Sequence, residues 1–360
     1  MDDEPRVSTV ELFFDLVFVF TITQLSRLVE DAHDALGYAR PLLVMVVIWW
    51  HYAGYVWLTN ATGAAEHMRF VLLAAMAGFL VMAVSLPTLF AGGGLAFGLA
   101  YLFVVVLHLG AFLWAGGRAA LPGVARLAPI NLGVAACVLA AAFAPPSWSW
   151  LLFLGGVALF GVSTLVRVEG GFSVRAGHFA ERHGLAIIIV LGESVLAIGA
   201  AASAQALDAW TVAAVVLALA VIAALWWAYF ARDARAAEHA LAHAPAAQQA
   251  RLALTGYWYT HLLMLAGVVL LATGIRGIAP GPRATAPVAS TLLAVGIACY
   301  LVGAVAFRRA FAVRPLAPRL VAVLLMVAVA LAGEHASGLA ALALAAATLG
   351  ALLLWEGVRS

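Results

Sequence analysis

Twelve runs of apolar residues, each long enough for a spanning helix, leave this chain few ways to fold. They fall at 10–28, 41–59, 69–90, 95–115, 127–144, 148–167, 181–202, 209–231, 254–274, 286–306, 319–335 and 337–355. A helix of about twenty apolar residues crosses a hydrocarbon core roughly 30 Å thick. In that core a helix satisfies its own backbone hydrogen bonds. Composition agrees: the chain is 66% hydrophobic and 10% charged, whereas soluble domains carry about 25% charged residues. The expectation is an all-α polytopic membrane protein with about twelve transmembrane helices.

The breaks between runs are marked by Gly92-Gly93-Gly94, Pro145-Pro146, Ala279-Pro280-Gly281-Pro282 and, least sharply, Gly333-Glu334-His335-Ala336-Ser337-Gly338. The first run carries Glu11 and Asp15, which is wrong for the apolar core of a cleavable signal. The first helix is therefore expected to stay in the mature protein.

All 19 basic residues are arginine, which reads as compositional bias. With a cytoplasmic N-terminus, Arg6, Arg69, Arg118, Arg126, Arg167, Arg175, Arg182, Arg232, Arg235, Arg251, Arg308, Arg309, Arg314, Arg319 and Arg359 fall on the cytoplasmic side. Arg27, Arg40, Arg276 and Arg283 fall opposite, a division of 15 against 4. This positive-inside bias predicts that both termini are cytoplasmic. The arginines sit between helices and form no basic face, so nothing points to nucleic acid.

The halves resemble one another. Aligning Glu11 with Glu181 brings Thr23 and Gln24 level with Glu193, and Trp49-Trp50-His51-Tyr52 has a counterpart in Trp226-Trp227-Ala228-Tyr229. Met76-Ala77-Gly78 likewise matches Leu265-Ala266-Gly267. This predicts two parallel six-helix repeats, related by an axis along the membrane normal. The first occupies 1–167 and the second 181–360, with a short linker at 168–180. The hydrophilic stretch 232–251 is expected to be a cytoplasmic helical extension broken at Pro245.

Glu193 is the residue that asks most for a function. Ile187 to Leu191 precede it and Val195 to Ile198 follow. It lies about 18 Å along a helix from Glu181, near the middle of the bilayer. A carboxylate there costs about 2.5–3.5 kcal/mol on insertion scales, so an intramembrane acid is by default a candidate functional group. The alternative is a protonated Glu acting as structural glue between helices. Thr21, Thr23, Gln24 and Ser26, with Glu193 and Ser194, provide a candidate polar path; interhelical hydrogen bonding is the plainer alternative.

Glu11 and Asp15 share one helix face near the cytoplasmic end. Arg69, Arg167 and Arg182 are their expected partners, either in a vestibule or in an ion cluster locking the halves. His51, His108 and His261 lie within apolar runs and read first as satisfied core histidines, second as members of a proton relay. Trp49, Trp50, Tyr52, Tyr55 and Trp57 leave packing and pore lining both open. Gly184, Gly192 and Gly199 are expected to let a neighbouring helix approach closely. Cys137 and Cys299 read as packing residues. No cofactor or metal is expected, and phosphate-binding and hydrolase motifs are absent from the sequence.

Three stretches, ELFFDLVFVFTITQLSRL at 11–28, WWHYAGY at 49–55 and HFAERHGLAIIIVLGESVLAIG at 178–199, resemble the bacterial low temperature requirement protein A family. The resemblance implies a multi-pass protein of the bacterial inner membrane; the family is named from a growth phenotype, which supplies no reaction. By motif position, Glu11, Phe14, Asp15, Glu181, Arg182, Gly184, Gly192, Glu193 and Ser194 carry the family pattern. Over 201–360 the likeness rests mainly on hydropathy.

The reading is a transporter or channel for a small solute or ion. Glu193 is its central group, and Ser194, Thr23, Gln24, Glu11, Asp15, Glu181, Arg182, His51 and His261 are candidate pathway residues. A membrane-embedded lipid-acting enzyme, or an accessory protein linked to low-temperature growth, is the rival. The partners implied are the bilayer and that small solute or ion, with a second copy of the chain left open.

Overall fold

The structure is a computed structural model describing residues 7–63, 66–165, 174–279 and 281–358. Arg6, Arg167, Arg359 and the first part of the 168–180 linker lie outside the described residues. Every regular element among those described is a helix. They are α1 (Thr9–Glu30), α2 (Ala35–Thr62), α3 (Glu66–Ser85), α4 (Gly94–Ala141), α5 (Ser149–Leu165), α6 (Ala176–Ser203) and α7 (Ala209–Phe230). There follow α8 (Asp233–Ala242), α9 (Ala246–Leu252), α10 (Tyr259–Ile278), α11 (Pro287–Ala310), α12 (Ala317–His335) and α13 (Gly338–Val358).

Ten continuous helices among the described residues are long and apolar enough to cross a membrane. One of these runs 53 residues from Glu66 to Arg118, about 80 Å if straight and far more than one bilayer. It bends where the sequence carries Pro87 and three glycines, through a 3-10 turn at Leu86–Thr88 and a wider π turn at Leu89–Gly93. Gly92 takes φ 99° there, a conformation that a residue with a Cβ rarely adopts. The glycines thus produce a bend and not an open loop. Gly117, at φ 53°, breaks α4 again. The segment α5, 17 residues in its described part, falls short of the other spans.

Helix ends follow local chemistry. Asp34 caps α2 by accepting from the Gly37 N–H at 2.7 Å. Asp208 caps α7 through the N–H groups of Trp210 and Thr211 at 3.1 and 2.8 Å. Each satisfies donors that the first helical turn leaves over. The chain turns between α8 and α9 at Pro245, because proline has no N–H to continue the ladder.

The chain divides into two compact units. The first contains Met1–Arg182 with Pro245–Arg251, and the second His183–Ala244 with Leu252–Ser360. In the first, α1 packs on α2 and α3, α3 on α4, and α2 and α4 on α5. Phe14, Phe18, Trp49, Tyr52, Tyr55 and Phe79 form its aromatic core, with Phe18 and Tyr52 stacked at 4.2 Å. The dense aromatic set of α2 is therefore largely packing: Trp49, Tyr52 and Tyr55 are buried, and Trp57 meets Phe179 edge-on.

In the second unit, α10 packs on α11, α11 on α12, α12 on α13 and α13 on α7. The helices α10 and α11 approach closely at glycines. A Cβ on Gly267 would lie 2.5 Å from the Gly296 carbonyl oxygen, and one on Gly274 would lie 2.5 Å from the Leu293 nitrogen. This corrects the expectation for α6. Gly192 and Gly199 are exposed, with no atom within 4 Å of an added Cβ, and only Gly184 meets a neighbour, the Phe230 ring.

Candidate functional site

In the first half of α1, two carboxylates four residues apart are each given their own partner. Glu11, in the first turn, accepts from the Ser8 N–H at 2.9 Å and the Ser8 hydroxyl at 2.7 Å. Its other oxygen lies 3.0 Å from His178 Nε2. His178 is braced in turn by Asn60 at 3.3 Å, and Asn60 binds the Arg175 backbone through its N–H and carbonyl. Asp15 accepts from the Tyr52 hydroxyl at 2.8 Å. Arg182 clasps it with two contacts of 2.9 Å, one guanidinium nitrogen to each oxygen. Asp15 and Arg182 are 1% and 0% exposed, which makes this a desolvated pair. The geometry resolves how two acids share one helix face: Arg182 holds one and His178 the other. Of the expected cations only Arg182 takes part; Arg69 is exposed on α3 and Arg167 lies outside the described residues. Glu181 is exposed and accepts from the Val7 N–H at 3.2 Å.

Glu193 belongs to the second unit. On α6 the residues Ile188, Gly192, Val195 and Leu196 are exposed, while Ile187, Val190, Leu191, Glu193 and Ser194 are buried, as a helix with one packed face requires. Glu193 is 2% exposed. Its Oε1 accepts from Nη1 of Arg276, in the last turn of α10, at 3.2 Å. Sequence reading had placed Arg276 among the arginines between helices. Arg276 instead lies within the last turn of α10, and its guanidinium reaches the buried Glu193 carboxylate while keeping part of its surface exposed. Beside this region a shallow crevice opens among Ile198, Thr211, Ala214, Ala218, Ile275 and Leu342, lined almost wholly by apolar groups.

The remaining candidates are held close to home. Ser194 Oγ lies 3.5 Å from the Val190 carbonyl, and Thr23 and Thr21 donate to the carbonyls four residues earlier at 3.1 and 2.9 Å. Gln24 is buried on α1. His51 Nδ1 meets the Tyr101 hydroxyl at 2.8 Å, with the His108 ring 6.0 Å away. His261 Nε2 meets the Tyr229 hydroxyl at 2.9 Å, with the His183 ring 5.2 Å away.

A second ionic cluster was missed by sequence reading. Asp233 at the start of α8, Arg308 in α11, Arg319 in α12 and Glu356 in α13 form a closed network in the second unit. Arg308 donates to both oxygens of Asp233 at 2.9 Å and to both of Glu356 at 2.6 and 2.7 Å. Arg319 reaches Asp233 at 2.7 Å, Glu356 at 3.1 Å and the Ala228 carbonyl at 2.7 Å. Two cations meet two anions, so the buried group is neutral. The signal was present: all four residues stand at or just beyond the ends of apolar runs.

These features define an integral membrane protein of many helices, with ionic groups buried inside each of its two units. The chain belongs to the family described as Bacterial low temperature requirement A protein, which matches residues 6–355. It is also similar to an uncharacterized protein of Rhizobium meliloti (strain 1021), at 27% identity over 286 residues, covering 76% of this chain and 69% of that protein.

Proposed function

We propose that the protein moves a small solute or ion across the bacterial inner membrane, with Glu193 as the central group and Arg276 as its counter-charge. The observation that carries this reading is the part-buried contact of 3.2 Å between the Arg276 guanidinium and the buried Glu193 carboxylate. A desolvated ion pair contributes little net stability over well-packed apolar side chains, and ionisable groups within spans commonly mark transport pathways. The chemistry favours a small anion moving with a proton. A proton on Glu193 removes the charge facing Arg276, and an anion bound at the guanidinium restores it. Neither state then leaves a lone charge in the low-dielectric interior.

In this reading the twelve apolar runs are twelve spans in two six-helix repeats with cytoplasmic termini, supported by the 15-to-4 division of arginines and the recurring Trp-Trp-x-Tyr. Ser194, Thr23, Gln24, His51 and His261 are polar positions within the spans, and Glu11, Asp15, Glu181 and Arg182 mark the cytoplasmic end. The test is flux into liposomes containing the purified protein and a pH-sensitive dye. Gradients of chloride, nitrate, formate, acetate and phosphate are imposed in turn, with potassium and sodium as cation controls. An inward gradient of one anion should acidify the lumen, and Glu193→Gln should lower that rate at least tenfold while the protein remains monodisperse. Wild-type protein that moves nothing in the panel overturns the proposal.

A further inference from the structure

Outside the spans, α8 carries a feature that ion movement does not use. His239 and His243 stand four residues apart on this ten-residue helix, so they share a face. Both are exposed, and their rings stack with centroids 4.0 Å apart and planes 24° apart. The opposite face is packed through Asp233, Ala237 and Leu241. Asp233 is fixed by Arg308 and Arg319, so the helix presenting the histidines is anchored at its first residue.

The tautomer of one ring is also determined. His243 Nδ1 lies 2.8 Å from the His239 backbone carbonyl. A carbonyl only accepts, so Nδ1 is the donor here, which in the neutral ring leaves the lone pair on Nε2. This is the arrangement of a metal-binding histidine, whose second nitrogen donates to a carbonyl or carboxylate.

From this geometry we infer that His239 and His243 form a surface site for a divalent transition cation. Imidazole nitrogens suit Zn²⁺, Ni²⁺ and Cu²⁺. Two histidines at i and i+4 on one helix face are the spacing that puts two imidazoles on one zinc in HExxH proteins, where a further protein ligand joins them; a site of two alone is correspondingly weaker. With ring centroids 4.0 Å apart, the two rings would have to open so that both Nε2 atoms could face one ion at the usual Zn–N distance of about 2.0–2.1 Å, with water completing the shell. Arg235, one turn earlier, donates to the Ala231 carbonyl at 3.1 Å. Its charge weakens the site but its side chain is turned toward the start of the helix. A bound ion would clamp the last turn of α8, where His243 is the C-cap before the turn at Pro245.

The experiment is calorimetric titration of Zn²⁺ into the full-length, tag-free protein in detergent. One Zn²⁺ per chain is expected, with His239→Ala and His243→Ala each weakening binding at least tenfold, to the level of the double variant. His33→Ala, removing another exposed histidine, should leave it unchanged. All three positions are exposed, so the variants should match wild type by circular dichroism. Equal binding by wild type and the double variant overturns the inference, as does a single variant within twofold of wild type. Anion flux is not part of this readout, so the site stands or falls apart from the transport reading.

Discussion

Arg276 Nη1 lies 3.2 Å from Glu193 Oε1, joining the last turn of α10 to the buried face of α6 within the second unit. Two residues 83 positions apart in sequence are thereby one electrostatic group. Removing either takes this contact from the other, whereas removing both removes the two charges together. Glu193→Leu should destabilise, by less than the roughly 3–5 kcal/mol of a fully buried pair because Arg276 keeps some exposure. Glu193→Gln should cost less because its carbonyl still accepts from Arg276. The double variant Glu193→Leu/Arg276→Leu should recover most of the loss. Thermal unfolding in detergent measures all three; a double variant no better than Glu193→Leu contradicts the pairing.

The Asp15–Arg182 pair gives the same comparison in the first unit. Asp15→Asn keeps an acceptor for Tyr52 but removes the charge facing Arg182, and a loss of about 3 kcal/mol is expected. The double variant Asp15→Leu/Arg182→Met should lie above that single variant in melting temperature. An additive loss would show that the pair is not the source of the effect.

In the four-residue cluster, rank should follow burial. Arg319 is wholly buried and touches Asp233, Glu356 and the Ala228 carbonyl, whereas the Glu356 side chain keeps 12% exposure. Arg319→Met should therefore destabilise more than Glu356→Gln. A chemical denaturation series that reverses this order contradicts a closed network.

Two glycines give opposite expectations. Gly267→Ala drives a Cβ against the Gly296 carbonyl and the Tyr300 nitrogen, which are backbone atoms and yield poorly. The cost should be at least about 1–3 kcal/mol, the usual range for overpacking. Gly192→Ala meets nothing within 4 Å, and alanine favours the helix by up to about 1 kcal/mol. Melting temperatures of the two variants should move in opposite directions.

The helices were legible because burial in lipid writes itself into hydropathy: each apolar run, where described, lies largely on helix, and the break expected at Pro245 falls between α8 and α9. The pairing of charges was less legible because it depends on side-chain reach. Arg276 read as a residue between helices, yet its guanidinium meets Glu193 in the second unit; Arg69 is a partner for Asp15 by depth alone, and it is exposed on α3. His178 stood inside a quoted motif, but its contact with Glu11 spans 167 positions and has no periodic signal. The glycines of α6 show the converse limit. Small residues mark where backbones are able to meet, and only packing decides whether they do; here the meeting is at Gly267 and Gly296.

The order in which the chain is made gives the cluster of Asp233, Arg308, Arg319 and Glu356 one more consequence. Glu356 is the last of the four to leave the ribosome, so until α13 inserts, two guanidinium groups face a single carboxylate. The closing helix is a keystone: a nascent chain stopped short of it carries an unbalanced positive charge into a region that becomes dry. Such a fragment is a natural target for quality control, and complete synthesis becomes a condition for a settled second half.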